Sequence, residues 1–223
     1  MVDQSEQRPI VGIGAGGHTR GILEILRHTG RYCLIGLTDA DAVLWGHELD
    51  GVPVLGDDAV LPGLNAKGVR HAFIGVGSVG DMRVRRLLYI RTLALGFTIE
   101  TVCHPAAIVS PSAVIGAGAT VMAGAIINAA ANLGDNILVN TGAIVEHDCR
   151  LGHHIHLATG VKLAGGVTVE DGAFIGIGAT VLQGIHIGAS AIVGAGAVVV
   201  ADVPDHVVVV GVPARMLRMV EVG

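Results

Sequence analysis

Aromatic and charged side chains are scarce in this 223-residue chain, at 3% and 15% respectively. Low charge combined with 51% hydrophobic residues excludes an intrinsically disordered protein. Long apolar runs are also missing, because glycine, asparagine, histidine and charged residues interrupt every stretch before it approaches the ~20 residues of a membrane-spanning helix. The polar residues 1–9 lack the apolar core of a signal peptide. We therefore expect a cytoplasmic globular protein with no membrane partner.

The sequence has neither an excess of positive charge nor paired cysteine motifs. The formal net charge of -5 does not favour nucleic acid as a partner. The three cysteines are widely spaced, which fits reduced thiols in a cytoplasmic protein. The cluster of His153, His154 and His156 could suggest a metal site, but neither CxxC nor HExxH occurs. We therefore expect no metal.

An aliphatic residue returns every six positions from Val109 to Val199, and all 16 positions of this series are Val, Ile or Leu. A fixed short period is the signature of a solenoid, in which each repeat buries its apolar face against its neighbours. Counting the aliphatic residue as position 1, position 4 is Gly or Asn in 10 of the 15 full repeats, which predicts a corner there. Short β segments joined by regular corners form a β-helix. Three repeats per coil would give five coils.

The first hundred residues instead alternate between strand and helix patterns. We predict strands over residues 9–14, 34–37 and 71–75, and helices over residues 18–27 and 81–95. Arg83, Arg85 and Arg86 are expected on the polar side of the second helix. This alternation implies a small parallel α/β sheet. We divide the chain into an α/β domain over residues 1–103 and a β-helix domain over residues 104–223.

Gly12, Gly14 and Gly17 match the pattern G-x-G-x-x-G at the end of the first strand. Glycines let the backbone approach a phosphate, and a helix N-terminus favours an anion. A domain of ~100 residues holds only about one mononucleotide half of a dinucleotide fold, so we favour a single nucleotide diphosphate. A tight turn without a ligand remains open. The residues assigned to this substrate site are Gly14, Gly16, Gly17, His18, Asp39, Asp41, Gly77 and Ser78.

Asp39 and Asp41 follow the second strand of this domain. Their carboxylates could accept hydrogen bonds from a ribose or a base. They could equally be solvated acids of a turn, and the sequence leaves both interpretations open.

The polar exceptions to the repeat concentrate in residues 146–156. Only seven charged residues occur from Val109 to Val199, and three of them fall within Glu146–Arg150. A scaffold that needs little charge has no packing reason to gather it there, so this segment is the candidate active site. His147 is the best general base, since imidazole titrates near the working pH.

The neighbours of His147 leave alternatives open. Asp148 could orient the imidazole, as the acid does in a Ser-His-Asp arrangement, or it could occupy a corner for backbone reasons. His156 could reach a ligand over a neighbouring face or be an ordinary surface histidine. Cys149 is an improbable nucleophile, because its column of the repeat points inward. A backbone N–H of Gly165 or Gly166, one coil above His147, could stabilise an oxyanion.

The hexapeptide series resembles that of the left-handed β-helix acyltransferases, and the closing residues 211–215 (GVPAR) are similar to the G-x-P-A element of that fold. The glycine-rich residues 14–18, the entry residues 110–113 (SPSA) and the motif Glu146-His147-Asp148 narrow the match. The whole chain resembles the sugar acetyltransferases that include the sialic acid O-acetyltransferase, the bacillosamine-pathway N-acetyltransferase and the perosamine N-acetyltransferase.

This resemblance implies a Rossmann-like α/β nucleotide-binding domain, then an all-β left-handed parallel β-helix and a short C-terminal segment. It also implies a homotrimer with acetyl-CoA in the groove between adjacent β-helices. His147 corresponds to the catalytic base and Asp148 to the acid that follows it. The residues assigned to acetyl-CoA are His156, Asn140, Gly165, Gly166, Ile177, Gly211, Pro213, Ala214 and Arg215. One departure is Thr141-Gly142-Ala143, where some relatives carry serines.

The expected reaction is acetyl transfer to the amine of a nucleotide-linked 4-amino-4,6-dideoxy sugar, either GDP-perosamine or a UDP-amino sugar. No protein nucleophile is evident, so we expect direct attack in a ternary complex. O-acetylation of sialic acid or a related sugar is the alternative within the same family. A purely structural β-helix and a zinc-dependent, carbonic anhydrase-like β-helix are the alternatives outside it.

Overall fold

The computed structural model describes residues 7–78 and 80–220, so most of the polar opening residues and Val79, part of the turn before the second predicted helix, lie outside it. The chain forms two compact units. The first unit contains residues up to Gly77 together with Val84–Pro105. The second contains Ser78–Arg83 and the chain from Ala106 onward. The division after Pro105 lies two residues beyond the boundary expected from the sequence.

The first unit is built on one sheet with helices between its strands. Its elements are β1 (Arg8–Ile13), α1 (Gly17–Thr29), β2 (Tyr32–Thr38), β3 (Glu48–Leu49), β4 (Val52–Gly56), α2 (Leu61–Ala66), β5 (His71–Ile74), α3 (Arg83–Ala94), β6 (Thr98–Ile99) and β7 (Val102–Cys103). The sheet order is β3-β4-β2-β1-β5-β6. Within this sheet, β4, β2, β1, β5 and β6 pair with their neighbours in parallel, and β3 pairs antiparallel with β4. The predicted parallel α/β sheet is therefore confirmed, and every predicted strand and helix of this unit is present.

Two further short helices of the 3₁₀ type cover Ala42–Leu44 and Asp58–Val60. The sequence pattern did not predict them, nor β3, β4, α2 and β6. These elements are too short to carry a readable period of apolar residues.

Helix α1 packs on the sheet through an apolar stripe and ends at a glycine. Ile22, Leu23, Ile25 and Leu26 are buried on one side of it. Gly30 has φ of 63°, and its N–H donates to the Leu26 carbonyl, which satisfies an orphan group of the last turn. This packing fixes the position of the helix start at Gly17.

Helix α3 departs from the prediction at Arg85, which is fully buried rather than on a polar face. Its Nη1 donates to the carbonyls of Ile74 at 3.0 Å and Val76 at 2.9 Å. Burial lowers the pKa of the guanidinium to about 10. The prediction was wrong because Arg85 fastens α3 to the carboxyl end of β5, and a single-helix pattern contains no information about that contact.

The second unit consists of strands stacked into three faces, and all of them up to β23 are two residues long. The first face contains β8 (Ile108–Val109), β11 (Ile126–Ile127), β14 (Ile144–Val145), β17 (Lys162–Leu163), β20 (Thr180–Val181) and β23 (Val198–Val199). The second face contains β9 (Val114–Ile115), β12 (Asn132–Leu133), β15 (Arg150–Leu151), β18 (Thr168–Val169) and β21 (His186–Ile187). The third face contains β10 (Thr120–Val121), β13 (Leu138–Val139), β16 (His156–Leu157), β19 (Phe174–Ile175), β22 (Ile192–Val193), β24 (Val207–Val210) and β25 (Arg215–Met219).

Successive strands of one face pair in parallel without a shift of register. Ile126 lies beside Ile144, and Ile144 beside Lys162, so residues 18 positions apart are neighbours and one coil contains three hexapeptides. The last strand, β25, turns back antiparallel on β24. The predicted fold class, an α/β unit followed by a left-handed parallel β-helix with a short C-terminal segment, is confirmed.

The corners of the coils lie at position 4 of the repeat, as predicted. Left-handed φ angles occur at 14 of the 15 position-4 residues, the exception being Ser112. Nine of them are glycines, which adopt this conformation without strain. Five carry side chains, namely Ala130, Asn136, Asp148, His154 and Ser190. We call the turn from the first to the second face the first corner, that from the second to the third the second corner, and that from the third to the first the third corner.

The helices of the first unit are short. Among the described residues, no helix combines the length and apolar character required to cross a membrane.

The aliphatic columns of the repeat form the core of the β-helix, and truncating one member will test their contribution. Leu157 is fully buried between Val139 and Ile175 of the adjacent coils. We expect Leu157→Ala to lower the free energy of unfolding by about 2–5 kcal/mol, because it leaves a cavity in a stack that cannot close. Urea unfolding followed by circular dichroism measures this loss. Leu182→Ala, at an exposed site, is the control. Equal effects of the two substitutions would contradict the assignment.

Candidate active site

His147 and Asp148 form a hydrogen-bonded pair at the first corner. The Nδ1 atom of His147 lies 2.8 Å from Oδ2 of Asp148. Both side chains are exposed, at 58% and 69%. Because the carboxylate only accepts, Nδ1 carries the proton, and Nε2 of the neutral ring is left as the basic atom.

Asp148 has both of the roles that the sequence left open. Its carboxylate contacts the imidazole, and its backbone has φ of 61° at the corner position. Asp and Asn tolerate this left-handed conformation better than most residues with side chains. The tight corner brings the side chains of two adjacent residues to one side, which an extended strand would send to opposite sides.

The charge of Asp148 also changes the basicity of His147. The hydrogen bond to Asp148 raises the pKa of the imidazole above its ordinary value, with a smaller contribution from the charge of Glu146. The carboxylate favours the charged form of the ring, as an opposite charge at this distance does. A base whose pKa is raised binds a proton more firmly.

Gly165 lies one coil above His147 and directly against its ring. A Cβ at residue 165 would lie 2.6 Å from Cε1 and 2.7 Å from Nε2 of His147. Only glycine leaves room for the imidazole in this orientation. The corner therefore positions the ring from two sides, by Asp148 at Nδ1 and by the bare backbone of Gly165.

Of the two backbone N–H groups predicted as oxyanion donors, those of Gly165 and Gly166, the structure leaves only that of Gly165 available. The Gly166 N–H already donates to the His147 carbonyl at 2.9 Å, so the prediction for this amide was wrong. This hydrogen bond is one of the backbone bonds that join neighbouring coils. The Gly165 N–H has no acceptor among residues 7–78 and 80–220. A donor left open beside a base is suited to stabilise developing negative charge.

Cys149 follows the pair but takes no part in it. Its side chain is fully buried, and Sγ donates to the Ala164 carbonyl at 3.2 Å. Burial raises the pKa of the thiol, which disfavours the nucleophilic thiolate. The inward orientation predicted for Cys149 is confirmed.

His153 and His154 serve the second corner. Nδ1 of His153 accepts the N–H of Asp135 at 2.9 Å, and Nδ1 of His154 lies 2.9 Å from the side-chain amide of Asn136. Each imidazole thus caps the coil below it. In the described part of the chain, no group of three His, Cys, Asp or Glu residues is placed to hold a metal ion.

His156 is buried on the third face, so the interpretation as an ordinary surface histidine was wrong. Its Nδ1 donates to the carbonyl of Ser78 at 2.6 Å, and its Nε2 lies 3.4 Å from Nδ2 of Asn140. The edge of its ring meets Phe174, with ring centroids 5.2 Å apart. Ser78 was assigned to the nucleotide site, but it belongs to the second unit and contacts His156 there.

In the first unit, the glycine-rich loop and the end of β5 are fastened to each other by Thr19. Its Oγ1 donates to the carbonyls of Gly14 at 2.7 Å and Gly75 at 3.1 Å. Gly77 packs against His18, since a Cβ there would lie 3.3 Å from the His18 Cβ. The structure therefore brings the assigned residues Gly14, His18 and Gly77 together.

The glycines of this loop have different reasons to be glycine. At Gly12, a Cβ would lie 2.4 Å from Phe73, so the residue is required by packing in the sheet. Gly14 has φ of 103°. At Gly16 and Gly17, nothing lies within 4 Å of the Cβ position, so these two leave open space at the start of α1. That space is suited to a phosphate.

Asp39 and Asp41 organise the same edge of the sheet. The Asp39 carboxylate accepts the N–H of Ala15 at 2.7 Å and that of Asp41 at 2.9 Å. The Asp41 carboxylate accepts the N–H of Val43 at 3.0 Å and caps the 3₁₀ helix that begins at Ala42. Both acids therefore have structural roles at this edge.

Comparison with known proteins identifies the family. The PglD N-terminal domain matches residues 9–92. The chain is 45% identical to perosamine N-acetyltransferase PerB from Caulobacter crescentus, in an alignment that covers 94% of this chain and 97% of that one with a TM-score of 0.88. The chain belongs to the left-handed β-helix sugar acetyltransferases of the perosamine and bacillosamine type.

Two further structures support this membership. The acetyltransferase domain of PglB from Neisseria gonorrhoeae is 37% identical, with 95% of this chain and 100% of that one covered and a TM-score of 0.87. WeeI from Acinetobacter baumannii is 28% identical, with 94% and 100% covered and a TM-score of 0.80. No curated protein sequence matches the chain. Membership of this sugar acetyltransferase family makes the protein an acyltransferase and decides against a purely structural or an anhydrase-like β-helix.

In this sugar acetyltransferase, the residues assigned to acetyl-CoA divide between two corners, apart from His156 on the third face. Gly165 and Gly166 lie at the first corner with His147. Asn140, Ile177, Gly211, Pro213, Ala214 and Arg215 lie at the third corner. The closing segment is held there because Ala214 N–H donates to Val198 at 2.7 Å and Val198 N–H to Gly211 at 3.0 Å. The first face of the β-helix lies between these two corners, so a single chain does not bring the two groups of assigned residues together.

Sequence reasoning missed Thr19 and Arg85 as positioning residues of the acetyltransferase. Thr19 follows the glycine motif by two residues, and a hydroxyl in the first helical turn was the available signal. Arg85 gave no signal, because its partners are main-chain carbonyls.

Replacing Asp148 by Asn will test the origin of the His147 basicity. Asn keeps the left-handed corner and removes the charge, so we expect the pKa of His147 to fall toward its ordinary value. Titration of the imidazole resonances by NMR measures the change, with the His147 signal assigned by its loss in His147→Asn. Glu146→Gln is the control and should cause a smaller fall. An unchanged His147 pKa in Asp148→Asn would show that the hydrogen bond has no influence on basicity.

Proposed function

We propose that the protein transfers the acetyl group of acetyl-CoA to the amine of a nucleotide-linked 4-amino-4,6-dideoxy sugar, with GDP-perosamine as the first candidate. The observation that carries the proposal is the exposed His147–Asp148 pair facing the bare backbone of Gly165. The similar protein PerB was solved in complex with CoA and GDP-perosamine, and the PglB domain in complex with acetyl coenzyme A.

In the proposed reaction, the amine nitrogen attacks the thioester carbonyl carbon directly. Nε2 of His147 accepts the amine proton, and Asp148 stabilises the imidazolium through Nδ1–H. The carbon–nitrogen bond forms, the tetrahedral intermediate collapses, and the carbon–sulfur bond breaks. The imidazolium then returns its proton to the departing thiolate of CoA. The buried thiol of Cys149 supports a route without a covalent acyl-enzyme.

Gly165 has two functions in this proposal. Its missing side chain leaves space for the imidazole, and its open N–H stabilises the oxyanion of the tetrahedral intermediate. The donor lies on the coil next to His147, so base and donor are adjacent on the same corner. A rigid backbone holds both, which is the condition for preorganised stabilisation.

The glycine-rich loop of the first unit is the proposed diphosphate site. Gly16 is the N-cap of α1 and makes no side-chain cap, so the first amides of the helix remain available to an anion. Gly16 and Gly17 leave space for close approach, and His18 and Gly77 border the loop. The free acceptor positions of Asp39 and Asp41 are available to the ribose.

We infer that acetyl-CoA is held by two copies of the chain in a homotrimer. The two groups of assigned residues lie at different corners of one β-helix, on either side of the first face. A second copy would supply the third-corner residues Asn140, Ile177 and Gly211–Arg215 opposite the His147 corner. The exposed side chain of Ile177 is available for such a contact.

Replacing His147 by Asn tests the proposed base. Proton transfer by a positioned side chain is worth about 10²–10⁴-fold, so kcat/KM for the amino sugar should fall by that factor. Acetyl-CoA turnover is measured against GDP-, UDP- and dTDP-linked 4-amino sugars, with sialic acid as the hydroxyl acceptor. His28→Asn, at an exposed histidine of the first unit, is the control. A kcat/KM within about threefold of wild type in His147→Asn would refute the base, and turnover of sialic acid alone would refute N-acetylation.

Replacing Gly165 by Ala tests the positioning of the ring. The added methyl group occupies the space of the imidazole, and a displacement of about 1 Å can cost about 10²-fold in rate. We expect kcat to fall by about 10–100-fold, with little change in the KM for the sugar nucleotide. Gly63→Ala is the control, because nothing lies near its Cβ position and its φ is negative. A Gly165→Ala enzyme with wild-type kcat would show that the contact has no role.

A further inference from the structure

Trp45 is an unusual residue of the first unit. It is the single tryptophan of the chain, and 41% of its surface is exposed. The three phenylalanines and Tyr89 are buried, and Tyr32 is half-buried. Tryptophan is among the side chains that gain most from burial, so packing does not explain its position at the surface.

The orientation of the indole is fixed by hydrogen bonds. Its Nε1 donates to the Asp39 carbonyl at 2.8 Å. The chain around it is held as well, because Trp45 N–H donates to Ala42 at 3.3 Å and Gly46 N–H to Val54 at 2.9 Å. The one polar atom of the ring is thus satisfied, and what remains open to solvent is apolar ring surface.

Asp39 connects this ring with the glycine-rich loop. Its main-chain carbonyl holds the indole, and its carboxylate accepts the N–H of Ala15 at 2.7 Å. Both contacts lie at the carboxyl end of β2, the edge of a parallel sheet where nucleotides bind. The open space at Gly16 is one residue beyond Ala15. A single residue therefore sets the position of the aromatic ring and of the loop assigned to the diphosphate.

We propose that Trp45 is the stacking platform for the nucleobase of the sugar nucleotide whose diphosphate is bound by residues 14–17. This inference rests on the proposed function, because it takes the nucleotide to bind at that loop. An aromatic ring stacks on any base, since every base has a π face. Trp45 accordingly supplies affinity for the nucleotide, and it takes no part in acetyl transfer.

The single tryptophan makes the stacking directly observable. Titration of the wild-type protein with GDP, and separately with UDP, should produce a saturable change of the intrinsic tryptophan emission, which reports on Trp45 alone. Trp45→Ala should raise the KM for the sugar nucleotide about tenfold, with kcat and the KM for acetyl-CoA unchanged. Trp45→Phe, which keeps a smaller ring, should lie between Ala and wild type.

Val43→Ala is the matched control, because Val43 is 76% exposed in the same loop and is not assigned to the nucleotide. It should leave both KM values unchanged. Unchanged emission at saturating GDP and UDP, or an unchanged sugar-nucleotide KM in Trp45→Phe and Trp45→Ala, would overturn the platform while leaving acetyl transfer intact. Nucleotide-dependent emission without acetylation of any amino sugar would support the platform and refute the proposed function. The titration of the wild-type protein tests the stacking of the nucleobase on Trp45 even if Trp45→Ala fails to fold.

Discussion

The offset of 18 residues between hydrogen-bonded neighbours is the constraint from which the β-helix follows. Its strands up to β23 are two residues long, so none of them is stable by itself, and each coil is held by the backbone bonds to the coils above and below. The inward column that contains Val121, Val139 and Leu157 is fully buried, because the offset places like residues on one another. A single inserted residue would break this coincidence between the coil that contains it and the coil next to it. Polar residues are thereby confined to the corners and to the outward positions of the faces.

The corners differ in how they use the amides that the ladder leaves unpaired. At the second corner, side chains of the next coil accept them, as Asp135, His153 and Asp171 do for Ala117, Asp135 and His153. At the first corner, the Gly165 amide has no such acceptor in the described part of the chain, and the imidazole of His147 lies where a side chain of residue 165 would be. The same backbone geometry therefore gives paired amides at one corner and an unpaired amide next to an imidazole at another. The difference arises from a few side chains and not from the fold.

The repeat allowed most of the β-helix to be predicted, because a period of six residues with three repeats per coil indicates which residues stack on one another. Counting 18 positions from His147 reached Gly165, and the ring does lie against that residue. The contacts that sequence reasoning missed are those between elements far apart in the chain. The buried Arg85 donates to the carbonyls of Ile74 and Val76, and the buried His156 donates to the carbonyl of Ser78. The glycine motif was ambiguous for another reason. A side chain at residue 12 would collide with Phe73, whereas a Cβ at residue 16 would meet no atom of the protein.

Strand β23, on which the closing segment after β24 rests, stands three coils from the His147 corner. Gly211 and Ala214 of the closing segment are hydrogen-bonded to Val198 of β23, and β14, β17, β20 and β23 follow one another along the first face. Neighbouring strands are spaced by about 4.8 Å, so the distance along the axis is roughly 14 Å. The stack of coils therefore sets distances along its axis in increments of one strand spacing. A linear carrier lying along it would be matched in length by the number of coils between His147 and the closing segment.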